Sequence, residues 1–233
     1  MAAFDVIFFD IDGTLLENSS LMPEAIQKAF ADHGFRIEIE PWRGSGRTDN
    51  EIIGMFLNDF PLDTARKAEL RSLIAADLMK NVLSRVKETG TKALPGTVEV
   101  IRMLRERGFY PGLLTGNKQG IVGAKLEAAG FDMKDFFYGG FGDTSTCRAE
   151  TAQQALDSAS EFFGKKADPA RALVIGDTPN DVACARAVGA SVLAVASGHF
   201  TMEELRVCDP DFLLPGFQDP SVFFEILENP HKQ

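Results

Sequence analysis

FDVIFFDIDGTLL, residues Phe4 to Leu16, is a short apolar run that ends in two carboxylates, Asp10 and Asp12, followed by Gly13-Thr14. Val6, Ile7, Phe8 and Phe9 are aromatic and β-branched over a length that suits a strand buried on both faces. Asp10 and Asp12 fall at its C-terminal end, the edge at which open α/β sheets bind ligands. Alternation along an extended segment aims both carboxylates one way and returns Ile11 to the core. Two such acids repel one another unless a cation stands between them or one keeps a proton.

Downstream of Leu16 the period changes. Residues 23–33 carry Ile26, Ala29 and Phe30 on one face and stop at Gly34. Phe35, Ile37 and Ile39 alternate in a short extended connector that ends at Pro41. Trp42 to Arg47 is a glycine-rich turn with two arginines. Thr48 and Glu51 have capping-box spacing, so a helix starts there, with Ile52, Ile53, Phe56 and Leu57 as its apolar face. A helical pattern then runs from about Asp63 to Lys87, in one piece or two. Glu17 to Lys92 therefore reads as all-helical.

From Pro95 strands and helices alternate. The expected strands are 109–114, 136–141, 172–175, 191–196 and one near 212–214. The expected helices are 97–107, 118–129, 150–163, one reaching Val188, and one near 220–227. This rhythm predicts an α/β fold, a doubly wound, Rossmann-like parallel sheet core covered on both faces. Residues 1–16 and 94–233 form that core, and 17–93 form an inserted all-helical cap domain.

The composition fits one globular core with an insertion: 233 residues, 45% hydrophobic, 25% charged. A net charge of -10 without a basic run argues against nucleic acid or an anionic membrane as partner. No apolar run has transmembrane length, and the first residues lack a signal-peptide pattern. Cys147, Cys184 and Cys208 form no CxxC, which fits reduced thiols and a cytoplasmic location. Oligomeric state is not legible.

Polar residues close several strands: Asp10 and Asp12, then Thr115-Gly116-Asn117, then Asp177 and Asp181 in GDTPND. Four converging carboxylates with no His or Cys among them call for a hard cation, Mg²⁺ first. Metal, hydroxyl and helix N-terminus together suit a phosphoryl group.

In order and spacing these residues resemble the haloacid dehalogenase superfamily. Asp10 to Thr14 matches its DxDGT motif, Thr115 in LLTGN its second motif, and Gly176 to Asp181 its GDxxxD motif. The insertion, with Leu94-Pro95-Gly96 and Gly46-Arg47-Thr48-Asp49, resembles the C1 cap of phosphoglycolate phosphatase-like members. The resemblance implies a Mg²⁺-dependent phosphatase for a small phosphorylated metabolite, phosphoglycolate- or sugar-phosphate-like. It makes Asp10 the nucleophile, Asp12 the general acid and base, and Thr115 a phosphoryl hydrogen-bond donor. It assigns the metal to Asp10, the Asp12 carbonyl and Asp177, with Asp181 as a further ligand or as a partner that orients the ligands. Gly116, Asn117 and the cap residue Arg47 are the expected substrate contacts.

The third motif ordinarily supplies a Lys, and Gly142 to Glu150 contains none. Lys118 and Lys125 belong to the preceding helix, so Arg148 is the expected catalytic cation. A phosphomutase of the β-phosphoglucomutase type, or a catalytically silent binding protein on the same fold, are the alternatives. A true dehalogenase has no use for the metal cluster or for an acid at Asp12.

Overall fold

The computed structural model describes residues 3–18, 20–40, 44–145 and 147–228. Pro41 and Trp42 of the connector and turn, and Thr146 of the third-motif interval, lie outside the described residues.

The first strand, β1 (Val6–Phe9), is buried along its whole length. It is central in a six-stranded sheet of order β3-β2-β1-β4-β5-β6, in which every neighbouring pair is parallel. The other strands are β2 (Pro111–Leu114), β3 (Gly139–Gly140), β4 (Ala172–Gly176), β5 (Ser191–Val195) and β6 (Phe212–Leu214). The chain builds outward from β1 to β3, then returns to lay β4 against the other side of β1. Connections leave β1 and β4 in opposite directions, and this switch point opens a crevice at their C-terminal ends.

Ile7 and Phe9 face one layer, with Val100, Ile101 and Leu104 of α4 (Thr97–Glu106), Val122 and Leu126 of α5 (Gln119–Ala128), and Phe223, Phe224 and Ile226 of α9 (Pro220–Glu228). Val6 and Phe8 face the other, with Ala152, Ala155 and Leu156 of α6 (Arg148–Phe163), Val182 and Ala185 of α7 (Pro179–Val188), and Leu205 of α8 (Met202–Val207). The period of two in β1 thus feeds two separate apolar layers.

Between β1 and α4 stand only helices: α1 (Leu21–Ala31), α2 (Asp49–Asn58) and α3 (Thr64–Thr89). Their buried residues form a third apolar cluster, joined from the core by Ile121 of α5. The two segments joining this insertion to the core run side by side. Glu17 donates to Lys92 O (2.9 Å), Leu94 donates to Leu15 O (2.9 Å), and Leu16 pairs antiparallel with Ala93.

Some boundaries move. The stretch 63–87 is one unbroken helix, α3, which holds no Gly or Pro before its end at Gly90. Phe109 is held by the turn that ends α4, donating to Leu104 O (2.9 Å), so β2 begins at Pro111. The expected strand 136–141 contracts to Gly139–Gly140, because Phe136 closes a 3₁₀ turn at Met133–Asp135. Its aromatics instead enter a ring cluster in which Tyr138 meets Phe8 edge-on at 5.4 Å and Phe137 lies 5.3 Å from Phe162. Helix α6 starts at Arg148, two residues before the expected Glu150. Among the described residues no helix is long and apolar enough to cross a membrane.

Candidate active site

Asp10 prolongs β1, its N–H donating to Ile175 O of β4 (2.9 Å). Asp177 follows β4 directly, and Asp181 is the third residue of α7. One carboxylate oxygen from each of the three lies within 4.8 Å of the others, and all three residues are buried. Thr14 donates to Asp177 Oδ1 (3.2 Å). Gly13, at φ +85°, lies over the same carboxylate; a Cβ there would stand 2.2 Å from Asp177 Oδ2.

Arg148, on the first turn of α6, enters this cluster. Its Nη2 donates to Asp10 Oδ1 (2.7 Å), Asp181 Oδ1 (2.5 Å) and Leu114 O (3.0 Å). Its Nε is buried with no acceptor among the described residues. Asp181 is also committed on its other oxygen, which accepts from Thr178 N (3.1 Å) and Thr178 Oγ1 (2.6 Å) in the capping box that starts α7.

One guanidinium does not neutralise three buried carboxylates. Burial pushes the Asp10 carboxyl up to about 7 against the opposing pull of Arg148. Burial, followed by the charges of Asp181 and Asp10, holds Asp177 well above the usual carboxylate range. Both shifts have the sign that a cation would reverse. The donor set is all oxygen, which fits a hard divalent ion. Since both Asp181 oxygens are engaged, Asp10 and Asp177 are the carboxylates best free to hold it.

Asp12 turns away from this cluster. Its carboxylate is bound by Lys125 Nζ through both oxygens, at 2.5 Å to Oδ2, and Asn117 Nδ2 donates to Oδ2 (2.8 Å). Lys125 is 2% exposed and also donates to Asn117 Oδ1 (3.2 Å). Thr115 is fully buried, and its hydroxyl accepts from Asn117 N (3.2 Å) and Nδ2 (3.1 Å). The second-motif turn therefore ties Thr115, Asn117, Lys125 and Asp12 into one network.

The insertion closes over this edge chiefly through its main chain. Thr48 and Glu51 form the expected capping box. Asp49 N donates to Gly116 O (3.0 Å), Asn50 Nδ2 to Gly142 O (3.1 Å), and Asn180 Nδ2 of the core to Ser45 O (2.7 Å). Gly116 permits this approach: a Cβ there would stand 2.0 Å from Arg47 O. Arg47 lines the resulting cavity, while its guanidinium reaches Glu51 (3.4 Å). Trp42 and Arg43 of the same turn lie outside the described residues. The cavity, about 120 Å³, is lined by Asp10, Asp12, Thr115, Gly116, Asn117, Arg148 and Asp177 together with cap residues.

The sheet order, the acidic triad and the helical insertion define a hydrolase of a known kind. The chain belongs to the haloacid dehalogenase-like hydrolases, whose family model matches residues 4–189. It is similar to the phosphoglycolate phosphatase of Shigella boydii, at 24% identity over 229 residues, covering 91% of this chain and 89% of the relative. A hydrolase from Pseudomonas syringae superposes with a TM-score of 0.78 at 19% identity, over 97% of this chain and 100% of that one. CbbY from Rhodobacter sphaeroides, solved in complex with xylulose-(1,5)bisphosphate, superposes with a TM-score of 0.75 at 22% identity, over 93% and 96%.

Two site residues escaped the sequence reading. Lys125 lies on α5, where it follows Ile121 and Val122 by four and three positions. A lysine on that apolar stripe was the available signal. Asp49 precedes Ile52 and Ile53 by three and four positions and is likewise buried, on the first turn of α2. Lys118 N donates to its Oδ2 (3.3 Å), and burial pushes its carboxyl up to about 7 despite Lys125.

Lys125→Met strands the Asp12 carboxylate. Breaking a buried pair this way costs on the order of 3–5 kcal/mol, and the partial exposure of Asp12 puts the expected loss at the lower end. Asp12→Asn in the same chain should recover part of it. Urea midpoints of the four proteins close the cycle, and strictly additive single effects would show that the pair is not coupled.

Asp49 holds its proton more tightly folded than unfolded, where a carboxyl titrates near about 4. Its penalty therefore grows as pH rises from about 4 to about 7. Asp49→Asn should be more stable than the parent at pH 8, by a margin that shrinks steadily toward pH 4. Unfolding curves at three pH values measure it, and a margin independent of pH would contradict it.

Proposed function

We propose that this chain is a Mg²⁺-dependent phosphatase that hydrolyses a small phosphate monoester through an aspartyl-phosphate on Asp10. The observation that carries this reading is the buried carboxylate triad, with Arg148 against Asp10 and the Arg148 Nε still without an acceptor. Names among the relatives agree with phosphoryl chemistry.

In this reading Asp10 and Asp177 hold the ion with the Asp12 carbonyl, and Asp181 acts from behind through Arg148 and Thr178. The ion supplies charge neutralisation for the phosphoryl oxygens. Asp10 attacks phosphorus in line, and the bond to the ester oxygen breaks as Asp12 delivers a proton to the departing alkoxide. Water then gives its proton to Asp12 and attacks the same phosphorus, releasing inorganic phosphate and restoring the Asp10 carboxylate. Thr115 and Arg148 bind phosphoryl oxygens throughout. Lys125 and Asn117 hold the Asp12 side chain in place between the two proton transfers. The partner is a small metabolite, and the acidic surface gives no reason to expect nucleic acid.

Chelation should abolish hydrolysis of p-nitrophenyl phosphate, and Mg²⁺ should restore it; full activity in EDTA excludes the metal. Asp10→Asn should retain less than a few per cent of turnover with an unchanged circular dichroism spectrum, and substantial residual activity excludes attack by Asp10.

Arg148→Ala removes an electrostatic donor. Such a loss typically costs on the order of 3–4 kcal/mol, roughly a hundred- to a thousandfold in kcat. Arg148→Lys should recover part of it, keeping the charge and losing the fork. Near-parental kcat in both folded variants would mean that another group supplies the charge.

A further inference from the structure

The cavity in front of Asp10 has two unlike halves. The core half is the polar edge already described. The cap half carries hydrocarbon from Met22 and Ile26 of α1, Ile39 of the connector, and Ile52 and Phe56 of α2, with Asn18, Ser45, Arg47 and Asp49 as its polar lining. Ile26, Ile52 and Phe56 are buried, and Met22 and Ile39 are half-buried. The ionisable cap residues among the described lining are Arg47, whose guanidinium reaches Glu51, and the buried acid Asp49. From the core side, His199 is exposed.

A phosphate ester docked on Asp10 directs its alcohol portion toward this wall. A second anionic group there, carboxylate or phosphate, would leave water for hydrocarbon and would face Asp49. Burying a charge without a partner is strongly unfavourable, and a site made for a second anion brings donors to it. A hydrocarbon wall instead rewards each methylene removed from water.

We infer that the cap half of the cavity selects phosphate monoesters whose alcohol is small, uncharged and largely hydrocarbon, and that it discriminates against esters with a second anion, phosphoglycolate included. The inference rests on the reading of Asp10 as the phosphoryl site. It separates this chain from its relatives named phosphoglycolate phosphatase.

Binding to the Asp10→Asn protein in Mg²⁺ tests this without turnover, alongside kcat/KM of the parent. Methyl, ethyl, propyl and butyl phosphate form one series, and phosphoglycolate is the anionic comparison. Affinity should climb about threefold to fourfold per methylene until the cavity is full, and butyl phosphate should bind at least tenfold more tightly than phosphoglycolate. Ile39→Lys, which places a cation at a half-buried wall position, should narrow or reverse that ratio. Met22→Lys serves the same purpose if the first variant fails to fold. A flat alkyl series, or phosphoglycolate binding as tightly as butyl phosphate, overturns the inference, and turnover of both esters would leave the phosphatase reading intact. The predicted affinity order without turnover by the parent keeps the inference and removes that reading. Failure of every ester and of inorganic phosphate to bind overturns both.

Discussion

Among the described residues Arg148 is the one positive side chain donating into the buried carboxylates Asp10 and Asp181, and the arrangement of this edge depends on it. Carboxylates so deeply buried are tolerated only with partners. Its anchorage explains much of the local architecture. It stands on the first turn of α6, behind the sheet, and leans on Leu114 O at the end of β2. Asp181 reaches it from α7 while its other oxygen closes the capping box with Thr178. Three elements distant in sequence are thus pinned to one guanidinium. Among the described residues Asp177 receives no such cation; Thr14 donates to it, and burial disfavours its charged form. The asymmetry between these neighbouring acids divides a structural carboxylate from one available to a metal.

Much of this was legible before any coordinates. The run from Phe4 to Leu16 specified a buried central strand with acids at its ligand edge, because period and length leave few other readings. Thr48 and Glu51 announced the start of α2, since a capping box is a purely local device. The want of a lysine in its interval singles out Arg148, and its guanidinium lies against Asp10. The insertion reads as a block of helical period, and its two ends run side by side where Leu16 pairs with Ala93.

What the sequence hid depended on distant partners. Lys125 lies 113 residues from Asp12, and no local pattern says that a lysine on an apolar stripe will meet a carboxylate rather than extend to solvent. The β3 region misled for a related reason. Phe136, Phe137 and Tyr138 have strand propensity, but at the sheet edge the rings of Phe137 and Tyr138 pack with Phe162, and that of Phe136 with Phe131, rather than lengthening a ladder. Arg47 shows the same limit from the other side. Its turn arrives at the core as glycine content implies, yet the contact is made by its carbonyl over Gly116, with the guanidinium turned to Glu51.

That contact has a consequence for how such a protein changes over time. Directly over the acids the insertion meets the core through backbone atoms of Arg47, Asp49 and Ser45, received by Gly116 and Asn180, while its side chains pack on the core elsewhere, at Ile121 of α5. A seam of this kind is indifferent to most side chains of the insertion. Met22 and Ile39, only half-buried at the wall, can therefore be exchanged with less disturbance than Ile26 and Ile52, which belong to the insertion's own apolar cluster. Chemistry and selectivity are mechanically decoupled, so the wall can drift toward new molecules while the reaction it encloses stays fixed.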